Sequence, residues 1–544
     1  MAMLIKIALR LCIWRTAVHL PILSNSFDKS ESVVLVVFAP FGTDEVLSEY
    51  PDGLTTSVAM HPLLVALKGV AAAGTHVVAL VDRVEDNTWL IEIPAGQPDA
   101  AKLDSRWKQD MTSERTLAGL LAQAHQRFPR SSLVLSIEGH GAGYLPDLDR
   151  RQLTWRNVTE QGKFEWHFSE TDCAPVHADG SPVLPMGCPG LPMGCPGLPV
   201  NRTFMSTRQL GEALRLAREW GAPRPAVIHF NNCFNMSVEV LHTVAPHADF
   251  ATGYPNYNFF TAGEAYPAVF QRLQVAGSAT SEQLAHWFAE ENHKALAAKP
   301  RHPTVGGVVQ LSRMSEIVDG VDRLSDALIK ALQGASLLDR PKVIGMVRQA
   351  IFDAQQYDSQ PGWELEAPDQ LTDLCSLAAS LQKHLVGFPL VQSEAATLMK
   401  LLSGIKAYGD NDVPWLDETD KIRWDFRAET LAMNIFLPDP LLDGVWDWRS
   451  SYYVDVNPDK DVQRGVIDFL TNTTWVDFLK EYHREVPFKS FHVGSIPPLP
   501  GFNRRAEPVP ERAGDTCGTP RKPWPFGPIA RRLLALIARH GDRT

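Results

Sequence analysis

The sequence predicts an α/β protein in which helices cover both faces of a mostly parallel sheet, followed by an α-rich C-terminal region. The prediction depends on continuous apolar runs, because strands buried on both faces lack polar alternation. Three such runs are VVLVVFA at 33–39, HVVALVD at 76–82 and SLVLSI at 132–137. Helical patterns separate these runs, and regular alternation of strand and helix is typical of a three-layer α/β/α domain.

The N-terminal half supplies the first elements of this layered domain. A helical stretch at about 58–72 separates the first two strands, and TWLIEI at 88–93 predicts a further strand in a hairpin with the second. Ser113 precedes apolar residues that recur three and four positions apart, which predicts a capped amphipathic helix. This helix leads into the buried strand at 132–137.

A further helix and strand continue the alternation. Ser206 and Gln209 form a capping box at the start of another amphipathic helix. AVIHF at 226–230 then predicts a fourth buried strand, and a helix is expected at about 236–244. After about residue 300 the pattern is dominated by helices, which predicts the α-rich region.

Changes in composition divide the chain into four parts. A tandem LPMGCPG repeat at 184–197 marks an irregular surface insertion, because its proline and glycine density forbids regular structure. The predicted parts are residues 1–30 as a leader or N-terminal helix, 31–300 as the layered domain with the insertion at 150–203, 301–490 as the α-rich region, and 491–544 as a proline-rich, basic tail.

Charge and hydropathy limit the partners of the chain. A formal net charge of −11 argues against nucleic-acid binding, because a polyanion is repelled except at a local basic patch. No run reaches the roughly 20 uninterrupted apolar residues that span a bilayer, so we expect a soluble body without an integral membrane segment. The compartment stays open between cytoplasmic and exported. The sequence also predicts an arginine-flanked helix at 529–538. This helix could contact a membrane surface or a partner, or it could dock on the protein itself; we favour docking on the protein itself.

Cysteine spacing argues against a metal site. The seven cysteines are scattered over 544 residues without a CxxC pair or a zinc-binding spacing, and no EF-hand-type calcium loop is present. We therefore expect no metal and no cofactor. An odd number of cysteines leaves at least one thiol free in a monomer, which is compatible with a cysteine nucleophile.

Two candidate catalytic residues come directly after consecutive buried strands. His140 comes after the strand at 132–137, and Cys233 comes after the strand at 226–230. Open α/β sheets bind ligands at the carboxyl ends of their strands, so the two residues are expected to share a site. A thiolate is the nucleophile, and a nearby imidazole stabilises it and protonates the leaving amine. The helix at about 236–244 is expected to lower the thiol pKa through its N-terminal dipole.

Gly141 adds a reason to expect chemistry here. Without a side chain, its backbone N–H can approach a tetrahedral oxyanion, and the Cys233 N–H is the natural second donor of such an oxyanion hole. Separately, each candidate has an ordinary explanation, because a cysteine at a strand end is usually a small core residue and a histidine beside glycines is usually a turn residue. The pairing of His140 with Cys233, each after a buried strand, brings catalysis level with these ordinary explanations.

The segments that carry this pair resemble a known family. SIEGHGAGY at 136–144 and the stretch from His229 through Pro267 resemble the two active-site segments of the clostripain-like cysteine peptidases, which belong with caspases, legumains and gingipains. Further similar segments follow one another in the same order as in the family, and together they cover most of residues 32–485. The resemblance implies a caspase-like fold and an endopeptidase that uses a Cys–His dyad and a thioester intermediate. Protein or peptide substrates are then the expected partners, and calcium enters only because some members need it.

One position departs from the family pattern. Members that cleave after Arg or Lys usually carry an acidic residue two positions before the cysteine, where this chain has Asn231. A neutral amide cannot provide the charge-assisted bond that a guanidinium prefers. We expect Asn231 to line the substrate pocket, and the cleavage specificity stays open. The family also self-cleaves between its two active-site segments, but nothing in this sequence marks a site.

A cysteine endopeptidase has two alternatives among the functions that this sequence suggests. A lipase- or esterase-type hydrolase would need a G-x-S-x-G nucleophile elbow, and the chain contains none. The stronger alternative is a catalytically inactive caspase-like domain that acts as a binding or regulatory module. Asn231 and the long insertion are the features that favour it.

Overall fold

The structure is a computed structural model of the chain. It describes residues 32–40, 61–83, 87–107, 111–139, 141–146, 205–256, 258, 263–297, 304–357, 371–409, 413–414, 423–424, 426–428, 430–438, 449–454 and 466–484. The predicted leader at 1–30, the insertion at 150–203 and the tail at 491–544, with its basic helix, lie outside these residues.

The described strands are numbered in chain order. They are β1 (Val33–Pro40), β2 (His76–Arg83), β3 (Asn87–Ile93), β4 (Lys102–Trp107), β5 (Ser132–Glu138), β6 (Val227–Asn231), β7 (Phe250–Gly253), β8 (Val305–Gln310), β9 (Leu371–Asp373), β10 (Lys406–Gly409), β11 (Val413–Pro414), β12 (Arg423–Trp424) and β13 (Asn434–Phe436).

The described α-helices are numbered in the same way. They are α1 (Pro62–Ala72), α2 (Glu114–Arg127), α3 (Thr207–Glu219), α4 (Val238–Val244), α5 (Tyr266–Ala276), α6 (Ser281–Ala297), α7 (Met314–Gly334), α8 (Arg340–Asp353), α9 (Leu374–His384), α10 (Pro389–Leu402), α11 (Ser450–Tyr453), α12 (Asp468–Asn472) and α13 (Trp475–Tyr482). Short 3₁₀ turns lie at Pro98–Ala100, Ala245–His247 and Leu311–Arg313.

One large sheet organises the molecule. Nine of the described strands form it in the order β10–β8–β7–β6–β5–β1–β2–β3–β4. The five central strands β7, β6, β5, β1 and β2 run parallel. The outer strands β3, β4, β8 and β10 are each antiparallel to their inner neighbour. The carboxyl ends of the parallel strands therefore meet at one edge, where ligands of such sheets bind.

Helices cover both faces of the sheet, and the apolar runs of the sequence divide between two cores. In β1 the side chains of Val34, Val36 and Phe38 belong to the core beneath α2, α3, α4 and α7. Leu35 and Val37 belong to the core beneath α1, α5 and α6. This division results from the two-residue period of a strand, which sends successive side chains to opposite faces.

The fold class predicted from the sequence is confirmed: the sheet is mostly parallel and helices flank it. The four buried strands fall where the apolar runs placed them, and β2 and β3 form the expected hairpin. The capping box is also present, since the Ser206 hydroxyl accepts from the Gln209 N–H at 3.1 Å and the Gln209 side chain accepts from the Ser206 N–H at 3.0 Å.

The sheet continues beyond the predicted layered domain. β8 and β10 lie after residue 300 in sequence, yet both pair into the nine-stranded sheet. The α-rich region is therefore continuous with the sheet through these strands, and the division of the chain at residue 300 stays a prediction. Among the described residues, no helix has the length and apolar character that crossing a membrane requires.

Candidate active site

The two segments singled out in the sequence meet at the carboxyl edge of the sheet. β5 and β6 are neighbours, and their last residues, Glu138 and Asn231, are register partners. Cys233 lies two residues beyond the end of β6. His140 lies outside the described residues, but both of its chain neighbours, Gly139 and Gly141, are described.

Gly141 packs directly against the chain at Cys233. A Cβ atom added to Gly141 would lie 2.1 Å from the Cys233 carbonyl oxygen and 3.0 Å from the Asn232 Cγ atom, so only glycine fits this approach. Gly139, on the other side of His140, has a φ of 95°, which L side chains rarely adopt. The glycines that flank His140 therefore have separate physical reasons to be glycine.

The Cys233 thiol is covered by the backbone of Asn258. The Asn258 N–H donates to the Cys233 sulfur at 3.3 Å, and the thiol faces the Asn258 carbonyl oxygen at 3.6 Å. Cys233 is only 8% exposed. Burial raises the pKa of the thiol to about 12, against a smaller lowering by the Asn258 N–H. In this arrangement the thiol is protonated at neutral pH.

The expectation that the following helix lowers the thiol pKa is wrong for this structure. α4 begins at Val238, five residues after Cys233, and the Ser237 hydroxyl caps its N-terminus by accepting from the Val240 N–H. The dipole effect falls off within the first turn of a helix. Burial of the sulfur is the larger effect, and it acts in the opposite direction.

A chain of hydrogen bonds connects the covering residue to the neighbouring strand. The Asn258 side-chain amide donates to Asn231 Oδ1 at 2.8 Å, and the Asn231 amide donates in turn to Glu138 Oε2 at 2.8 Å. The Asn231 side chain is fully buried, and both its Oδ1 and its Nδ2 atoms are hydrogen-bonded in this chain. Its expected role in lining the substrate pocket stays a prediction.

Glu138 is a component of the site that sequence reasoning did not assign. Its Oε1 atom accepts from the Ser136 hydroxyl at 3.0 Å and bonds the Tyr266 hydroxyl. Burial raises the pKa of this carboxyl to about 7, although the hydrogen bonds from Tyr266, Asn231 and Ser136 oppose the rise. The available signal was an acidic residue at the end of an apolar strand, where burial is expected and a polar partner is needed.

His229, the histidine on β6, is not suited to act as the base of the site. His229 is buried among aromatic rings, with centroid distances of 4.9 Å to Phe288 and 5.9 Å to Tyr266. Burial lowers the pKa of His229 to about 3, so this imidazole stays neutral.

No three His, Cys, Asp or Glu side chains of the described residues are grouped as ligands of a metal ion would be.

The backbone after Cys233 is in a high-energy conformation. Phe234 has a φ of 62° and is the one non-glycine residue with a positive φ in the described ranges. A left-handed conformation costs a bulky residue roughly 1–3 kcal/mol and persists only when its surroundings enforce it. The Phe234 N–H donates to the Asn256 carbonyl at 3.0 Å, which joins the turn to the segment that carries Asn258.

The α-rich region contributes to the same edge of the sheet. The buried Arg449 guanidinium donates to the carbonyl oxygens of Ala142 at 2.9 Å and Tyr144 at 3.3 Å, and it lies over the Phe436 ring. It therefore holds the chain immediately after Gly141. The two hydrogen bonds could not be expected from the local sequence, since each joins residues more than 300 positions apart.

Loss of the Asn258 side chain is expected to expose the thiol. In Asn258→Ala the bond to Asn231 disappears, and one neutral hydrogen bond contributes about 1 kcal/mol, or roughly fivefold in an opening equilibrium. We expect Cys233 to react with iodoacetamide at pH 8 about five times faster than in the wild type, measured peptide by peptide with mass spectrometry.

Cys375 provides an internal control for this measurement. It is also a free, buried cysteine, and burial likewise raises its thiol pKa to about 12. Its alkylation rate is expected to be the same in both proteins. An unchanged rate at Cys233 would mean that the Asn258 side chain does not hold the covering segment in place.

The comparisons with known proteins agree with the resemblance seen in the sequence. The family model described as Peptidase_C11, clostripain family, matches residues 199–482. A search of curated proteins found no match.

Several solved structures are similar to this chain at low sequence identity. One is a secreted C11 cysteine protease from Bacteroides thetaiotaomicron in complex with an irreversible peptide inhibitor, with 15% identity, a TM-score of 0.46, and coverage of 75% of this chain and 93% of that chain. Another is an inactive zymogen C11 protease from Parabacteroides distasonis, with 13% identity, a TM-score of 0.47, and coverage of 79% and 97%.

A cysteine protease from B. fragilis is also similar, with 12% identity, a TM-score of 0.32, and coverage of 51% of this chain and 98% of that chain. The family assignment itself depends on the sequence match, which extends over more than half of the chain and includes β6, Cys233 and the α-rich region as far as α13. This chain belongs to the clostripain family, peptidase family C11.

Proposed function

We propose that the chain is a cysteine endopeptidase in which Cys233 is the nucleophile and His140 is the general acid and base. The observation that carries the proposal is the contact between Gly141 and the Cys233 carbonyl. It brings the chain next to His140 against the chain at Cys233, at the edge of the sheet where chemistry is expected. Family membership adds the reaction class.

The proposed reaction forms and then hydrolyses a thioester. The Cys233 thiolate attacks the scissile carbonyl carbon, and the backbone N–H groups of Gly141 and Cys233 would hold the resulting oxyanion. The His140 imidazolium then gives its proton to the leaving amine as the C–N bond breaks. Water, deprotonated by the same imidazole, attacks the thioester, releases the carboxylic acid and regenerates the thiolate. These steps need no cofactor.

The proposal requires a change at the covered thiol. With a pKa of about 12, the thiol of this arrangement supplies almost no thiolate at pH 7. The Asn258 segment must therefore move away so that water and the substrate reach the sulfur. We expect substrate binding, or a prior processing event, to supply that movement.

Labelling by a substrate-like electrophile tests the assignment. The probes are biotinylated peptidyl chloromethyl ketones that differ in the residue before the reactive group. We expect at least one probe to label the wild type at Cys233. We expect no labelling of Cys233→Ala, and a matched Cys375→Ala control should label like the wild type, because Cys375 lies on α9 and serves no role in the proposed reaction.

The same experiment addresses the second candidate function. A binding or regulatory module without catalysis is favoured by the buried, protonated Cys233 and by Asn231 in place of an acidic residue. If no probe labels the wild type and no peptide of a library is cleaved, the module is the better description. If Cys233→Ala and wild type label equally, Cys233 is not the nucleophile.

A further inference from the structure

An asparagine from the α-rich region, Asn434, is hydrogen-bonded to the turn that follows Cys233. Asn434 begins β13, which pairs with β9 outside the large sheet. Its backbone N–H donates to the Met236 carbonyl at 2.9 Å, and the residue forms an isolated parallel bridge with Ser237. Asn434 is fully buried. β13 is therefore attached to the chain that runs from Cys233 into α4.

The side chain of Asn434 joins the two segments that flank the thiol. Its Nδ2 atom donates to the Phe234 carbonyl at 2.8 Å and to the Pro255 carbonyl at 2.8 Å. Phe234 directly follows Cys233, and Pro255 precedes the covering residue Asn258 by three positions. One amide group thus ties the nucleophile's turn to Pro255, three positions before the residue that covers the sulfur.

The Phe234 carbonyl belongs to the residue with the left-handed backbone. Such a conformation needs external contacts to persist, and the bond from Asn434 acts on the peptide group that leaves this residue. The Phe234 ring is itself completely buried, so the residue cannot relax without disturbing its neighbours. The orientation of the Cys233 backbone, including the N–H assigned to the oxyanion hole, depends on this turn.

Asn434 uses its side chain only as a donor. Within the described residues its Oδ1 atom is buried and has no hydrogen-bond partner. A buried acceptor without a partner costs free energy. The amide oxygen therefore gives no reason for an asparagine at this position, and the reason must lie in the two bonds that the amide nitrogen donates. What the position requires is a group that donates two hydrogen bonds to two carbonyl oxygens.

We propose that Asn434 is a positioning residue of the endopeptidase, holding the left-handed turn after Cys233 against Pro255 in the arrangement that the reaction needs. The inference depends on the proposed function. It adds that a residue 200 positions from the nucleophile's turn, in the α-rich region, sets the geometry of the thiol.

Asn434→Asp tests this inference, because a carboxylate has nearly the same shape but offers acceptors where donors are required. A displacement of about 1 Å in an active site can lower the rate about 100-fold. We expect Asn434→Asp to lower kcat roughly 30- to 100-fold, with KM within about threefold of the wild-type value. The measurement uses a library peptide that the wild type cleaves, well below the melting temperature of each protein.

Asn292 offers a matched control. It is also fully buried, its Nδ2 atom donates to the Phe288 carbonyl at 2.8 Å within α6, and its Oδ1 atom likewise has no partner among the described residues. Asn292→Asp should reduce the melting temperature but leave kcat of the folded protein within about threefold. Equal losses of kcat in the two variants, or a wild-type kcat in Asn434→Asp, would overturn the inference.

Two further measurements keep the test decisive. If Asn434→Asp does not fold, Asn434→Ser retains one donor and is expected to lower kcat by about tenfold; a wild-type kcat would refute the positioning role. If the wild type cleaves no peptide, the proposed function fails, but the rate of Cys233 alkylation by iodoacetamide still reports on the turn. A rate in Asn434→Asp that differs less than about twofold from that of Asn292→Asp would then reject the inference.

Discussion

Alanine at position 141 is expected to lower kcat/KM of the proposed endopeptidase by roughly 100- to 1000-fold, the range typical of losing one oxyanion donor. The added Cβ would lie 2.1 Å from the Cys233 carbonyl oxygen, and contacts between non-bonded atoms at this distance do not occur. The atom that blocks it belongs to the backbone, so a rotamer change cannot relieve the clash. The chain after His140 must move away from Cys233.

This displacement acts on both halves of the proposed site. It carries the Gly141 N–H away from the position of the oxyanion, and it separates the segment of His140 from the segment of Cys233. Arg449 opposes the movement, because it holds the Ala142 and Tyr144 carbonyl oxygens in place. We therefore also expect Gly141→Ala to unfold at a lower temperature than the wild type.

Gly345→Ala is the matched control for this prediction. Gly345 lies within α8, and nothing lies within 4 Å of the position that its Cβ would occupy. Alanine there is expected to stabilise the helix by up to about 1 kcal/mol and to leave kcat/KM unchanged. Steady-state kinetics and thermal melts measure kcat/KM and the melting temperature of both variants and so test the prediction. A Gly141→Ala protein with wild-type kcat/KM would mean that Gly141 is not at the reacting centre.

Much of the fold could be predicted because its signals are local. A strand such as β5 is a continuous apolar run, and α3 begins with a capping box that is visible in four consecutive residues. The position of Cys233 and Gly141 at the carboxyl edge could be inferred from the same runs, since parallel strands bring their ends together. β8 and β10 were harder to place, because their pairing depends on contacts across the chain rather than on their own pattern.

The chemistry of the thiol could not be predicted, because it depends on residues that are distant in sequence. Helix-dipole reasoning considered only the residues immediately after Cys233, whereas the thiol is covered by Asn258, 25 positions later. The pairing of Glu138 with Asn231 likewise depends on the register between β5 and β6, which no local pattern encodes. Asn434 reaches the site through β13, from a region that the sequence pattern predicts to be separate from the layered domain.

Replacing Glu138 by glutamine is expected to remove a large pH dependence of stability. The folded protein holds the Glu138 pKa near 7, whereas the ordinary value for an unfolded glutamate is 4.5. Between these pH values the folded state binds more protons than the unfolded state, so the free energy of unfolding falls as pH rises. The stabilisation is complete below pH 4.5 and is lost as pH passes through about 7, and 2.5 pKa units correspond to about 3 kcal/mol.

Glutamine reproduces the protonated carboxyl at every pH. Its oxygen can accept from the Asn231 amide, and its own amide can donate to the Ser136 or Tyr266 hydroxyl, so the bonds of the network have counterparts. Denaturant unfolding at pH 4.5 and pH 8 measures the effect. The wild type should lose about 3 kcal/mol more than Glu138→Gln between these conditions, and Glu138→Gln should be the more stable protein at pH 8.

Equal losses in the two proteins would show that Glu138 ionises in the folded state at its ordinary pKa, and hence that water reaches the carboxyl between β5 and β6. That outcome would also change the view of Asn231, because the amide would then lie in a wet pocket next to a carboxylate. A neutral, dry Glu138 instead means that below about pH 7 no carboxylate lies beside Asn231, the residue two before Cys233. The specificity of the proposed peptidase would then have to come from shape or from other residues, rather than from a carboxylate at this end of β6.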